Sequence, residues 1–106
     1  MVRLDTRLDL GRRDLNKLLV MGYGTRPFRS VTRVVRRYRN VKIAQELAED
    51  LDEDPPVYAI WRGNTYVFVV LRPHHVHVIN LEKQLSEEEA RRIVERIVEE
   101  LRREVT

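Results

Sequence analysis

Apolar residues recur along this chain at two periods, and the change of period divides it. In "SEEEARRIVERIVEELRREV", residues 86–105, Ala90, Ile93, Val94, Ile97, Val98, Leu101 and Val105 fall at helical spacing. Ser86 and Glu89 stand in capping-box spacing, and Glu87 and Glu88 suit the positive end of a helix dipole. Glu87–Arg91, Glu88–Arg92 and Glu99–Arg103 are i,i+4 pairs in the favourable order. The stretch predicts a long amphipathic C-terminal helix.

Before it, the period falls to two. "VYAIWR" and "TYVFVVLR" flank Gly63-Asn64, a two-residue hairpin signal, and "RPHH" turns the chain into "HVHVINL". With Arg62 opposite Thr65, one face collects Tyr58, Ile60, Val67, Val69 and Leu71. The other collects Val57, Ala59, Trp61, Tyr66, Phe68 and Val70. Both faces are apolar, so helices must cover both, or a second subunit must cover one. This predicts a three-stranded antiparallel β-meander.

The first half reads as helical. "RRDLNKLLVMGYG" puts Leu15, Leu18 and Leu19 on one stripe and stops at Gly22 and Gly24. Ser30 is an N-cap for a second helix in which Val31, Val34, Val35 and Tyr38 share a third of the circumference. Ile43, Leu47 and Leu51 form a stripe opposite that one, so the helix must break near Arg39-Asn40. The expected fold is a single α+β domain over residues 1–106: N-terminal helices, the meander, and the C-terminal helix packed across it.

Composition narrows the class. A chain of 106 residues, 42% hydrophobic and 35% charged, is globular with a modest core. No apolar run approaches the ~18 residues that span a bilayer, and "MVRLDTRLDL" has no signal-peptide centre, so a cytoplasmic protein is expected. The absence of cysteine excludes disulfides, thiolate chemistry and cysteine-based metal sites. Arginine outnumbers lysine 17 to 3, a balance that fits forked phosphate contacts and also a thermophile's composition.

Charge then alters the picture. Residues 1–43 hold twelve Arg/Lys against three Asp, and residues 44–56 hold six acids and no base. The core of the basic half is "TRPFRSVTRVVRRYRNVK", residues 25–42, with seven cations and no carboxylate. On the second helix Arg29, Arg33, Arg36 and Arg37 lie opposite the apolar stripe; Arg26, Arg39, Lys42 and Tyr38 extend the patch, with Tyr38 aimed at the core. Such a row can straddle phosphates, releasing counterions without choosing sequence. Its bland alternative is a solvated face neutralised by the acidic run. A face serving only solubility mixes signs, as the C-terminal helix does, and this one does not.

The expectation is therefore a small non-enzymatic nucleic-acid-binding protein, for DNA or RNA, working through Arg26, Arg29, Arg33, Arg36, Arg37, Arg39 and Lys42. No cofactor or metal is expected. The second reading is a homodimeric interaction module joined through a sheet face or the C-terminal helix. A third, a metal-dependent hydrolase, would need metal at His75 and His77.

Other motifs resemble known families in part. "VTRVV" resembles the recognition helix of bacterial helix-turn-helix repressors, which implies a preceding helix across a three- or four-residue turn; here about eight residues intervene. The His75-Val76-His77 triplet resembles the metal-binding signature of rolling-circle nucleases, whose downstream nucleophilic tyrosine has no counterpart after Tyr66. The order helix, hairpin, strand, helix over residues 41–100 resembles the core of restriction-endonuclease-like enzymes such as archaeal Holliday-junction resolvases. Where those hold magnesium, this chain has Pro56, Val69 and Leu71, with Asp54 the nearest acid. "DLDEDPP" opens like a calcium loop at Asp50, Asp52 and Asp54, but Pro55 and Trp61 occupy the positions that need Gly and Glu. Ser30 and Ser86 are best explained as caps.

Overall fold

The fold is given by a computed structural model that describes residues 2–40, 43–45, 47 and 54–103. In chain order the elements are β1 (Val2–Leu4), α1 (Arg12–Val20), β2 (Gly24–Phe28), α2 (Val31–Tyr38), β3 (Val57–Arg62), β4 (Thr65–Leu71), β5 (His74–Asn80) and α3 (Glu87–Arg102). Residues 43–45 and 47 are helical between α2 and β3. The architecture is α+β with a long C-terminal helix. The sheet differs from expectation: it has five antiparallel strands in the order β1-β5-β4-β3-β2, not three.

The meander is the middle of that sheet. Arg62 pairs with Thr65 across Gly63-Asn64, and Gly63 takes φ +60, the left-handed backbone this turn requires. The extra strands are edges. β1 pairs Val2, Arg3 and Leu4 with Val78, His77 and Val76, while β2 pairs Gly24 through Phe28 with Trp61 through Val57. An edge strand buries only part of its surface, and both segments are short and carry one arginine each, with Pro27 in β2. Proline is tolerated at an edge and protects it from further pairing.

Helices of the chain itself cover both faces. Against one lie α1, α3, Leu8 and Leu85, enclosing Leu4, Ile60, Val67, Val69, Val76 and Val78. Against the other lie α2, Ile43 and Leu47, enclosing Val57, Ala59, Phe68, Val70 and Ile79. Both caps fall where the sequence places them. Ser30 Oγ accepts from Arg33 N–H at 3.3 Å and Ser86 Oγ from Glu89 N–H at 3.1 Å. Lys17 donates to the Leu101 and Arg103 carbonyls at 2.9 and 2.8 Å, so α1 satisfies acceptors that the end of α3 leaves open.

The α1 stripe is narrower than expected. Leu18 is buried and Leu15 half-buried, but Leu19 is 53% exposed. The helix stops at Val20, and Gly24 belongs to β2 rather than to a helix terminus. The break after Tyr38 is as the phase change requires: Arg39 closes α2 in left-handed geometry at φ 49. Leu51 and residues 48–53 of the acidic run lie outside the described residues.

Candidate nucleic-acid interface

The basic face is assembled from an edge strand, a bend and a helix. In β2, Arg26 lies opposite Ala59 and so projects to the sheet face that α2 covers. Its guanidinium sits 5.6 Å from the centre of the Phe28 ring, within cation–π range. Arg29 occupies the bend between β2 and Ser30. On α2, Val31 and Val34 are buried against the sheet, which at 100° per residue turns Arg33, Arg36 and Arg37 outward. The chain reverses tightly from β2 into α2, so these two sets of arginines meet.

They meet in one open groove of ≈ 510 Å³ lined by Arg26, Arg29, Arg33, Arg36 and Arg37, with Pro27 and Phe28 completing it. Five of the seven sequence-selected cations are thus brought together. Arg39 is exposed at the C-terminal end of α2 and does not line the groove. Lys42 lies outside the described residues. Pro27 and Phe28 were missed because neither carries charge; the signal was their place between Arg26 and Arg29.

Among the described residues, none of these six arginines is ion-paired. The contrast with α3 is direct: Arg91 and Arg92 hold Glu87 and Glu88 at 3.0 and 2.6 Å, and Arg103 approaches Glu99 at 3.8 Å. Asp54, the described acid of the 44–56 run, is turned to the end of α2. It accepts from Thr32 N–H at 3.0 Å and from Thr32 Oγ1 at 2.9 Å. Those bonds, the backbone one foremost, hold its carboxyl below the usual range.

Tyr38 is half-buried and does not line the groove. Its ring lies 5.5–6.1 Å from those of Phe28, Trp61, Tyr66 and Phe68 and is the hub of an aromatic cluster. Burial, then the neighbouring Tyr66, raise its phenol above the usual value, against the lowering influence of Arg26 and Arg37. The cluster anchors the C-terminal half of α2 and so fixes the spacing of the arginines it carries.

No protein-family model, no curated protein and no solved structure matches the chain.

The partial resemblances fare differently in three dimensions. β2 stands between α1 and α2, so "VTRVV" does not sit in a helix-turn-helix. His75 and His77 point to the same face, as strand spacing requires, and both are buried. Their Nε2 atoms lie 2.9 Å apart, and His75 Nδ1 is 2.9 Å from the Pro73 carbonyl. Among the described residues no group of three or more His, Cys, Asp or Glu converges as a metal site would need. No described helix is long and apolar enough to cross a membrane.

Proposed function

We propose that this chain is a non-enzymatic nucleic-acid-binding protein that holds a phosphate backbone in the groove between β2 and α2. The observation that carries the reading is the convergence of Arg26, Arg29, Arg33, Arg36 and Arg37 on one groove, with no carboxylate paired to any of them among the described residues. Guanidinium groups present planar forks that match phosphate oxygens, and five from two elements can follow successive phosphates. The groove offers charge and the apolar Pro27 and Phe28, and among the described residues no Asn or Gln lines it to read base edges. Binding is therefore sequence-tolerant and driven by counterion release. Because the chain's own helices occupy both sheet faces, a sheet-to-sheet contact with a second copy has less support than the groove.

The test is a titration of short duplex and single-stranded oligonucleotides at several salt concentrations. Binding that weakens steeply with salt supports the reading. Converting Arg33, Arg36 and Arg37 together to Glu should abolish it, whereas the same change at Arg91, Arg92 and Arg103 should retain most of it, with circular dichroism confirming both folds. No binding at low ionic strength, or a Kd indifferent to salt, defeats the proposal.

A further inference from the structure

On the opposite face of the sheet, beneath α3, lies a second cavity of ≈ 520 Å³. Its size falls in the range of about 300–1,000 Å³ typical of small-molecule sites. Ile60 and Val67 from the sheet, Leu85 before α3, and Ile93 and Ile97 on α3 give it an apolar floor. Arg62, Lys83, Arg92 and Arg96 stand around it, against Glu89 as the lining carboxylate.

Most of its polar groups are already engaged. Lys83 holds Glu89 at 3.0 Å, and Arg92 holds Glu88 at 2.6 Å. Asn80 donates to Thr65 Oγ1 at 3.0 Å and accepts from the Glu82 and Lys83 amides. Arg62 and Arg96 differ, since neither has an ion-pair partner among the described residues. Arg62 lies 4.3 Å over the Tyr23 ring, and Arg62, Arg96 and Tyr23 line the same cavity, with the Tyr23 hydroxyl donating to Glu100 at 3.1 Å. A ligand entering here meets two arginines that hold no carboxylate in an ion pair among the described residues, with Glu100 nearby on Tyr23, and hydrocarbon below them.

We infer that this cavity binds a small carboxylic acid with an aliphatic body, its carboxylate between Arg62 and Arg96 and its chain along Ile60, Val67, Ile93 and Ile97. The site is separate from the arginine groove and does not depend on nucleic-acid binding.

Calorimetric titration with hexanoate, octanoate and decanoate tests it, with octanol and adenosine monophosphate as comparison ligands and amide chemical shifts to locate the site. Affinity should rise about fourfold per added methylene, from roughly 0.8 kcal/mol of burial for each. Octanol, with the same body and no charge, should bind at least tenfold more weakly than octanoate. Arg62→Gln and Arg96→Gln, both at exposed positions, should each weaken octanoate about tenfold, and shifts should cluster at residues 60–67 and 93–97. The triple Glu variant of Arg33, Arg36 and Arg37 should bind octanoate normally, even if nucleic-acid binding is never observed. Equal binding of octanol and octanoate, indifference to chain length, tighter binding of the nucleotide, or unchanged affinity in Arg96→Gln would each overturn the assignment.

Discussion

The Asp54 carboxylate grips Thr32 through both of its oxygens, one on the backbone N–H at 3.0 Å and one on Oγ1 at 2.9 Å. This acid therefore satisfies a donor in the first turn of the basic helix, and among the described residues it is paired with none of the helix's arginines. A carboxylate there also offsets the partial positive charge of the helix N-terminus.

Replacing Asp54 by Asn should cost about 0.5–1 kcal/mol near neutral pH, the usual scale for an exposed charge at a helix end. The sign with pH follows from the direction of the shift. The folded carboxyl titrates below the ordinary aspartate value, so its contribution is present above that value and is lost as pH falls through the lower, folded one. Wild type and Asp54→Asn should accordingly differ in urea midpoint near neutrality and converge in acid. Equal midpoints near neutrality would show that the contact contributes nothing.

The groove makes a quantitative demand of its own. If all five of its arginines meet phosphates of a duplex, log K should fall against log salt with a slope of roughly −4 to −5. Replacing Arg36 alone by Gln should reduce that slope by about one and weaken binding evenly across unrelated sequences. Arg39→Gln should leave the slope nearly unchanged, because Arg39 stands outside the groove. A slope altered equally by the two substitutions would place the phosphates elsewhere.

Comparison of the two halves of the sheet shows what kind of signal the sequence carries. The hairpin, its register and both faces were legible because β3 and β4 are buried on each side, and burial writes a continuous apolar run around a Gly-Asn turn. β1 and β2 were not, because an edge strand such as "GTRPF" has few apolar positions and is recruited by its neighbour. The candidate site was legible as a charge run, yet not as a groove. Arg26 and Arg29 reach α2's arginines only because "TRPF" is a strand that turns back, which depends on pairing with β3. The cavity beneath α3 was invisible for a similar reason: Arg62 and Arg96 belong to distant segments that only the packing of α3 on the sheet brings together.

One recruited contact can be tested directly. Gly24 lies opposite Trp61, and a Cβ built on Gly24 would overlap the Cε2, Cζ2 and Nε1 atoms of the indole. An ordinary strand glycine gains stability on conversion to Ala, since the unfolded chain loses freedom. Here the indole already fills the space, so Gly24→Ala should destabilise by about 1–3 kcal/mol, as overpacking does. For a domain of this size that lowers Tm by at least about 4 °C. In the background of Trp61→Ala the same substitution should become neutral or stabilising, and additivity of the two would rule the contact out.

The alkaline limb of stability should report the two tyrosines whose phenols are displaced upward. Burial is the first cause at both; at Tyr23 the hydrogen bond to Glu100, 3.1 Å long, and the charge of that carboxylate add to it, while Arg62 and Arg96 oppose it. A phenol whose folded pKa exceeds its unfolded value of about 10 contributes stability that is fully present below that pH. The contribution is lost as pH rises through the higher, folded value, because the unfolded chain releases its proton first. Urea midpoints measured above pH 10 should therefore decline, and Tyr23→Phe and Tyr38→Phe should each flatten the decline by removing one group that titrates. Absorbance titration of the folded protein should show a late phenolate component that each substitution reduces. A decline of unchanged steepness in the double variant would mean that alkaline unfolding is driven from elsewhere in the molecule.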